Sequence, residues 1–175
     1  MASWENDLSP MFLYEKGGKN YQPQMTNHFK VEIYDLTGAE ELTLCLASFS
    51  LPTIATSPVS VYHGNGKVNF AGMPELSGMD SMPVNDFITK DIEKIINDWQ
   101  KQVYDPQTDK MGWAGDYKKE GAVTEFGPDG TEQRKWTVYG IWPSSVNYGG
   151  SFNYNNSEVK QVEMTLTYDR AWRES

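Results

Sequence analysis

Reactive side chains are scarce in this sequence, and their spacing limits what they could do. There is one cysteine, Cys45, and there are two histidines, His28 and His63, far apart. One cysteine and two histidines cannot supply a four-ligand Cys/His zinc centre within one chain, and Cys45 has no partner for an internal disulfide. Cys45 stands between Leu44 and Leu46 and reads as a small packed residue, not an activated thiol. The run His63-Gly64-Asn65-Gly66-Lys67 has the letters of a phosphate cradle. It lacks the strand–loop–helix context that such a loop needs, and reads as a hairpin tip between Val59, Val61 and Val68, Phe70. No G-x-x-x-x-G-K-[ST] loop, G-x-S-x-G elbow or H-E-x-x-H pair is present. A glycosidase needs two carboxylates facing one cleft across about 5–10 Å, and no spacing here selects such a pair. Trp113, Trp136, Trp142 and Tyr148 could stack on sugars, which leaves a β-sandwich carbohydrate- or receptor-binding module as an alternative. No catalytic residue, metal ligand or cofactor site is expected.

The chain has 175 residues, enough for one domain. Fifteen Lys and Arg against 24 Asp and Glu leave a net charge of −9, the wrong sign for a duplex-DNA binder that must displace counterions. Seven Phe, six Trp and ten Tyr allow a packed core. Apolar runs are only a few residues long, so no membrane span is expected. The first residues lack a basic and apolar leader, so no secretion signal is expected, and the single cysteine fits folding in a reducing compartment.

The elements that would position these residues are mostly strands. Residues 1–27 read as an arm punctuated by Pro10, Gly17, Gly18 and Pro23, with Phe12, Leu13 and Tyr14 available for burial against a neighbouring copy. Residues 28–175 read as a single β domain. Phe29, Val31 and Ile33 alternate with Lys30 and Glu32, predicting a strand over 28–36. Leu42, Leu44 and Leu46 suggest a second strand over 42–51, ended by Pro52. The Gly64-Asn65-Gly66 hairpin supplies two more. Met73, Met79 and Met82 read as core filling. Ile88, Ile92, Ile95, Ile96, Trp99 and Val103 form one helical stripe, with Asn85 or Asp86 as the expected N-cap and Asp105-Pro106 as the stop. Gly127-Pro128-Asp129-Gly130 then joins two polar extended arms, 117–126 and 131–142. Trp136, Val138, Gly140 and Trp142 are expected on one face of the second arm, and Pro143 is expected to end it. Val162, Met164, Leu166 and Tyr168 alternate with polar residues in a last half-buried strand. Seven or eight strands and one helix predict a mainly β fold, an antiparallel β-sandwich or barrel with one flanking helix.

Several of these pieces, in this order, resemble the tail tube protein of contractile-tailed bacteriophages. They are Phe29-Lys30-Val31-Glu32-Ile33, Leu51-Pro52, Val68-Asn69-Phe70-Ala71-Gly72, Trp99-Gln100 at the helix end, and Tyr117-Lys118-Lys119. Gly140-Ile141-Trp142-Pro143-Ser144 and the closing strand Val159–Trp172 are the most specific. The resemblance spans roughly residues 28–172. It departs from the family pattern in a longer N-terminal arm and an enlarged loop 104–116 and turn 126–131.

The resemblance implies homohexameric rings stacked into a hollow tube, with strands of neighbouring subunits joined into one inner barrel. Its implied partners are further copies of itself, a contractile sheath, baseplate and tail-terminator proteins, and a tape-measure protein and then DNA passing through the lumen. Its implied place is the virion tail, assembled in the host cytoplasm. A tube initiator or terminator, or the tube of a non-viral injection system such as type VI secretion, stays open as an alternative. Exposed strand edges are pairing sites, and ring closure removes them. A negative lumen lets phosphates slide past. On this reading Glu120, Glu125 and Glu132 are candidate lumen acids, and Phe12, Leu13, Tyr14, Asn65, Lys67, Lys118, Lys119, Arg134 and Lys135 are candidate inter-subunit contacts.

Overall fold

The computed structural model describes residues 23–79, 81–149, 153–155 and 157–174. The main sheet is built from β1 (Phe29–Ile33), β4 (Met82–Asn85), β7 (Lys119–Phe126), β8 (Glu132–Asn147), β9 (Gln161–Thr167) and β10 (Arg170–Arg173). Its order is β1-β7-β8-β9-β4, with β10 also on β8. Among the described residues every strand pair of this sheet is antiparallel. Apart from it stand the hairpin of β2 (Thr53–His63) and β3 (Gly66–Ser77), and the small pair β5 (Tyr104–Asp105) and β6 (Lys110–Met111). The helices are α1 (Ala39–Cys45), α2 (Ile92–Val103) and α3 (Ala114–Tyr117). The mainly β reading with one flanking helix therefore holds, and α2 is that helix.

The sheet curls at one level, and the cause is local. Opposite Glu120 and Lys119 the partner residues on β8 jump from Tyr139 to Ile141, leaving Gly140 as the extra residue. Tyr168 and Asp169 separate β9 from β10 at the same height, where the Asp169 amide donates to the Tyr139 carbonyl (2.9 Å). Gly140 has φ +69°, and a Cβ there would lie 2.3 Å from a carboxylate oxygen of Asp169, itself held by Lys118 at 2.7 Å. A bulge of this kind bends and twists the sheet. Gly140→Ala is therefore expected to cost about 1–3 kcal/mol, which a melting curve will show as a drop of several degrees.

The bulge also corrects the expected faces of β8. Because Gly140 is an extra residue, Val138 and Ile141 both turn into the core. Trp142 turns out to a half-buried position against Tyr117, with ring centroids 5.7 Å apart. Pro143 does not end the strand: it is buried, and β8 continues to Asn147 through a second irregularity between Pro143 and Ser145.

The expected strand over 42–51 is replaced by α1. Leu42, Cys45 and Leu46 also fit the helical spacing i, i+3, i+4. Glu40 and Glu41 occupy the first turn, where they complement the helix dipole. The Thr43 hydroxyl lies 2.7 Å from the Val31 carbonyl and 3.0 Å from that of Ala39, tying the helix to β1. Leu42 and Cys45 are buried while Leu44 is 84% exposed.

The long helix starts later than expected. Ile88 is fully exposed, residues 87–90 form a tight turn, and the N-cap is Asp91, whose carboxylate accepts from the Lys94 amide at 2.9 Å. Its stripe of Ile92, Ile96, Trp99 and Val103 is buried against the sheet's inner face. Ile33, Val84, Val138, Val162, Met164, Leu166 and Ala171 complete that core. Met79 and Met82 are core residues as expected, whereas Met73 is 81% exposed. The polar hairpin joined at 127–130 and the alternation through Val162–Leu166 stand as read. The loop after α2 holds the β5–β6 pair and α3, and β4 and β10 are strands the sequence reading did not separate.

Candidate assembly interface

Two surfaces leave the closed core exposed to partners: the β2–β3 hairpin and the open face of the sheet. The hairpin is the longer-reaching feature. Eleven residues in β2, at about 3.3 Å each, make an arm about 35 Å long. Its turn opens on Gly64, at φ +58°. No other described element packs along it to any extent. Cross-strand register places Val59 opposite Phe70 and Val61 opposite Val68 on one face. The other face carries Ser60 hydrogen-bonded to Asn69, and Lys67 with its ammonium 6.0 Å from the Tyr62 ring centre. The four apolar side chains are each 51–57% exposed. A two-stranded hairpin is marginally stable alone in water, and an apolar face without cover is a binding surface.

The root of the arm is fixed. Buried Tyr168 donates its hydroxyl to the Ser77 carbonyl at 2.6 Å and lies 3.4 Å from that of Thr53. Gly78, at φ +97°, passes so close to Thr53 and Leu51 that a Cβ would collide with their backbone. Among the described residues the arm is thus held at its base and not along its length.

The open face is polar and pairs its charges internally. Register places Lys30, Glu32, Glu120, Lys135, Thr137, Tyr139, Arg170 and Trp172 on it. Lys30 pairs with Glu32, which raises the lysine's pKa chiefly through a hydrogen bond, with Glu132 adding a smaller push. Lys135 pairs with Glu174 at 3.5 Å. Tyr139 and Trp172 stack with centroids 5.1 Å apart. Among the described residues three cations thus face four carboxylates, an excess of one negative charge. The Glu174 carboxyl is held below its ordinary value of 4.5 chiefly by the Thr137 hydroxyl, opposed by burial and helped by Lys135. Its contribution is present above pH ~4.5 and is lost as pH falls through the lower folded value. Below that range β10 is expected to fray first, which the fluorescence of Trp172 reports.

The candidate residues fall on different surfaces. Glu120 and Glu132 lie on the open face, while Glu125 lies on the opposite one, largely buried and paired with Arg134 at 3.2 Å. Lys118, Arg134 and Lys135 are all bound to carboxylates of their own chain. Lys119 is half-buried at the start of β7. Asn65 and Lys67 are at the exposed hairpin tip. Phe12, Leu13 and Tyr14 lie outside the described residues. Trp113, Trp136, Trp142 and Tyr148 form no common platform: Trp113 is 84% exposed beside α3, Trp142 packs on Tyr117, and Tyr148 hydrogen-bonds Asn97 on α2. From sequence the apolar quartet marked only the strands flanking the hairpin tip, not a contact surface. Its signal, two alternating runs about a Gly-Asn-Gly turn, is also the signal of a buried hairpin.

A curled antiparallel sheet closed on one face by a helix, with an uncovered hairpin arm, defines a β-domain with surface left for other protein to finish. The chain belongs to the T4-like virus tail tube protein gp19 family, whose model matches residues 25–171. Among solved structures it is similar to the sheath/tube terminator of PVC, an extracellular contractile injection system, in its extended state. The TM-score is 0.66 at 19% identity, over 88% of this chain and 98% of that one. It is also similar to the tube-terminating cap of the anti-feeding prophage AFP (TM-score 0.64, 17% identity, 88% and 92%). A chain of the PVC sheath–tube complex in the extended state gives a TM-score of 0.62 at 17% identity, over 95% and 98%. At these identities the likeness is one of fold. No curated protein matches the chain.

Proposed function

We propose that this chain is the repeating subunit of the inner tube of a contractile phage tail. Copies close into homohexameric rings, and the rings stack into a conduit for a tape-measure protein and then the genome, inside a sheath and above a baseplate. The observation that carries this reading is the hairpin, an arm about 35 Å long with an uncovered apolar face on a domain whose own core is closed. Family membership supports it. The role is structural, with no catalysis. Negative-stain microscopy of the purified protein at rising concentration, with its baseplate as template, is the test. Hollow rods support the reading, and a persistent monomer under those conditions removes it. Single rings that never stack assign the chain instead to a tube terminator, the role named for two of the similar folds.

On this reading the open polar face lines the conduit, and Glu120 and Glu132 supply the acids that keep DNA from sticking. Replacing both by lysine turns an excess of one carboxylate per subunit into an excess of three cations. Virions carrying this pair are expected to eject their genome several-fold more slowly. Glu125→Lys is the control: it faces Arg134 on the other side of the sheet, so it is expected to lower stability and leave ejection rate per intact virion unchanged. Equal ejection kinetics for wild type and the double variant would assign the conduit to another face.

A further inference from the structure

Asn65-Gly66 is the only Asn-Gly pair in the sequence, and the fold puts it at the tip of the β2–β3 arm. Gly64 and Asn65 make the two-residue loop, with Gly64 at φ +58°, and His63 and Gly66 close it as a cross-strand pair. Every residue of this tip is exposed. The Asn65 carboxamide has no hydrogen-bond partner among the described residues. Those of Asn69, Asn85, Asn97, Asn147 and Asn153 each accept one. The turn does not itself demand glycine at position 66. Gly66 has no left-handed φ, and a Cβ there would meet only the His63 carbonyl oxygen, at an ordinary 3.4 Å. What glycine does leave is an amide nitrogen with no side chain screening it from the free carboxamide.

We propose that Asn65 is a modification site, at which the free subunit deamidates without an enzyme. In the closed hairpin the pairing with His63 holds the Gly66 nitrogen in the ladder. A hairpin without further support is marginal, and its tip opens locally. The Gly66 nitrogen then loses its proton and attacks Cγ of Asn65. The bond from Cγ to the side-chain nitrogen breaks, that nitrogen takes the proton and leaves as ammonia, and a succinimide ring remains. Water opens the ring at either carbonyl, to aspartate or to isoaspartate. Both products place a new carboxylate two residues from Lys67. Aspartate keeps the turn, whereas isoaspartate adds a methylene to the main chain between His63 and Gly66 and breaks the register of that closing pair. Asp129-Gly130, the only Asp-Gly pair, could close the same ring with loss of water. Its carboxylate is instead held by the Thr131 amide at 3.2 Å and hydroxyl at 2.7 Å, so it is expected to stay unreacted.

The test ages the full-length wild type and Gly66→Ala at neutral pH, both folded in buffer and unfolded in urea, and maps their peptides by mass. Deamidation reads as the exchange of NH for O at a named asparagine, and isoaspartate as labelling by isoaspartyl methyltransferase. Expected in the folded wild type is several-fold more modification at residue 65 than at any other asparagine, with no isoaspartate at residue 129. Gly66→Ala is expected to lower it several-fold with an unchanged melting curve. An intact Asn65 in the folded wild type overturns the inference, and reaction there in urea would show that the closed turn is what protects it. Equal modification at other asparagines, or equal rates in the two proteins, also overturns it. If Gly66→Ala does not fold, Asn65→Gln replaces it, because its longer side chain closes a ring far more slowly.

Discussion

Replacing Val59 and Phe70 together by aspartate is expected to leave a folded monomer that no longer assembles. The two side chains face each other across the hairpin and are 52% and 57% exposed, so the subunit's own core does not depend on them. Opposed like charges cost the hairpin only about 0.2–1 kcal/mol. In an assembled contact the balance is different. The remaining burial of the two side chains is lost, about 1 kcal/mol each, and a desolvated carboxylate adds several kcal/mol more. A loss of at least ~3 kcal/mol per contact raises the concentration needed for assembly more than ~100-fold. Light scattering and negative-stain microscopy measure that concentration, and circular dichroism confirms the fold. Normal rods at the wild-type threshold would mean that the arm takes no part in assembly.

Trp99→Ala is expected to do the reverse and remove the fold itself. Trp99 is fully buried on α2, and its indole Nε1 donates to the Tyr117 carbonyl at 2.9 Å, joining the helix to the short α3. Truncating a buried tryptophan costs about 3–5 kcal/mol, and the orphaned carbonyl adds about 1 kcal/mol or more. That is a large share of the ~5–15 kcal/mol that holds a domain together. Trp99→Phe keeps most of the volume and loses the hydrogen bond, so a cost nearer 1–2 kcal/mol is expected. Denaturant titration of both variants checks the order. Equal stabilities would show that the indole's hydrogen bond, and not its volume, is the chief contribution.

The helix that carries Trp99 and the hairpin that carries Val59 and Phe70 could both be read directly. Trp99 stood in a helical stripe whose spacing has one interpretation over four turns, and it is a core residue. The hairpin was equally legible, because Gly64 supplies a backbone conformation that few other residues tolerate. Leu42–Leu46 was not: over five residues an alternating run and a helical stripe select overlapping positions, and packing on β1 through Thr43 decided for α1. The helix start moved from Ile88 to Ile92 because Asp91, not Asn85 or Asp86, meets a free amide. The faces of β8 were misread past Gly140 because one unpaired residue inverts every side chain beyond it.

Composition and pattern alone determined that this is a β-rich, acidic chain with a long amphipathic helix, no cysteine pair and none of the common catalytic motifs, and the order of its motifs carried the family. Those properties depend on residues close together in the chain, where periodicity and turn chemistry act. Tertiary structure alone decided which apolar residues lack cover, which acids share the open face, and that Lys118, Arg134 and Lys135 are bound within their own subunit. Each of these depends on which distant segments meet, through a curl set by the bulge at Gly140, and no local spacing records that.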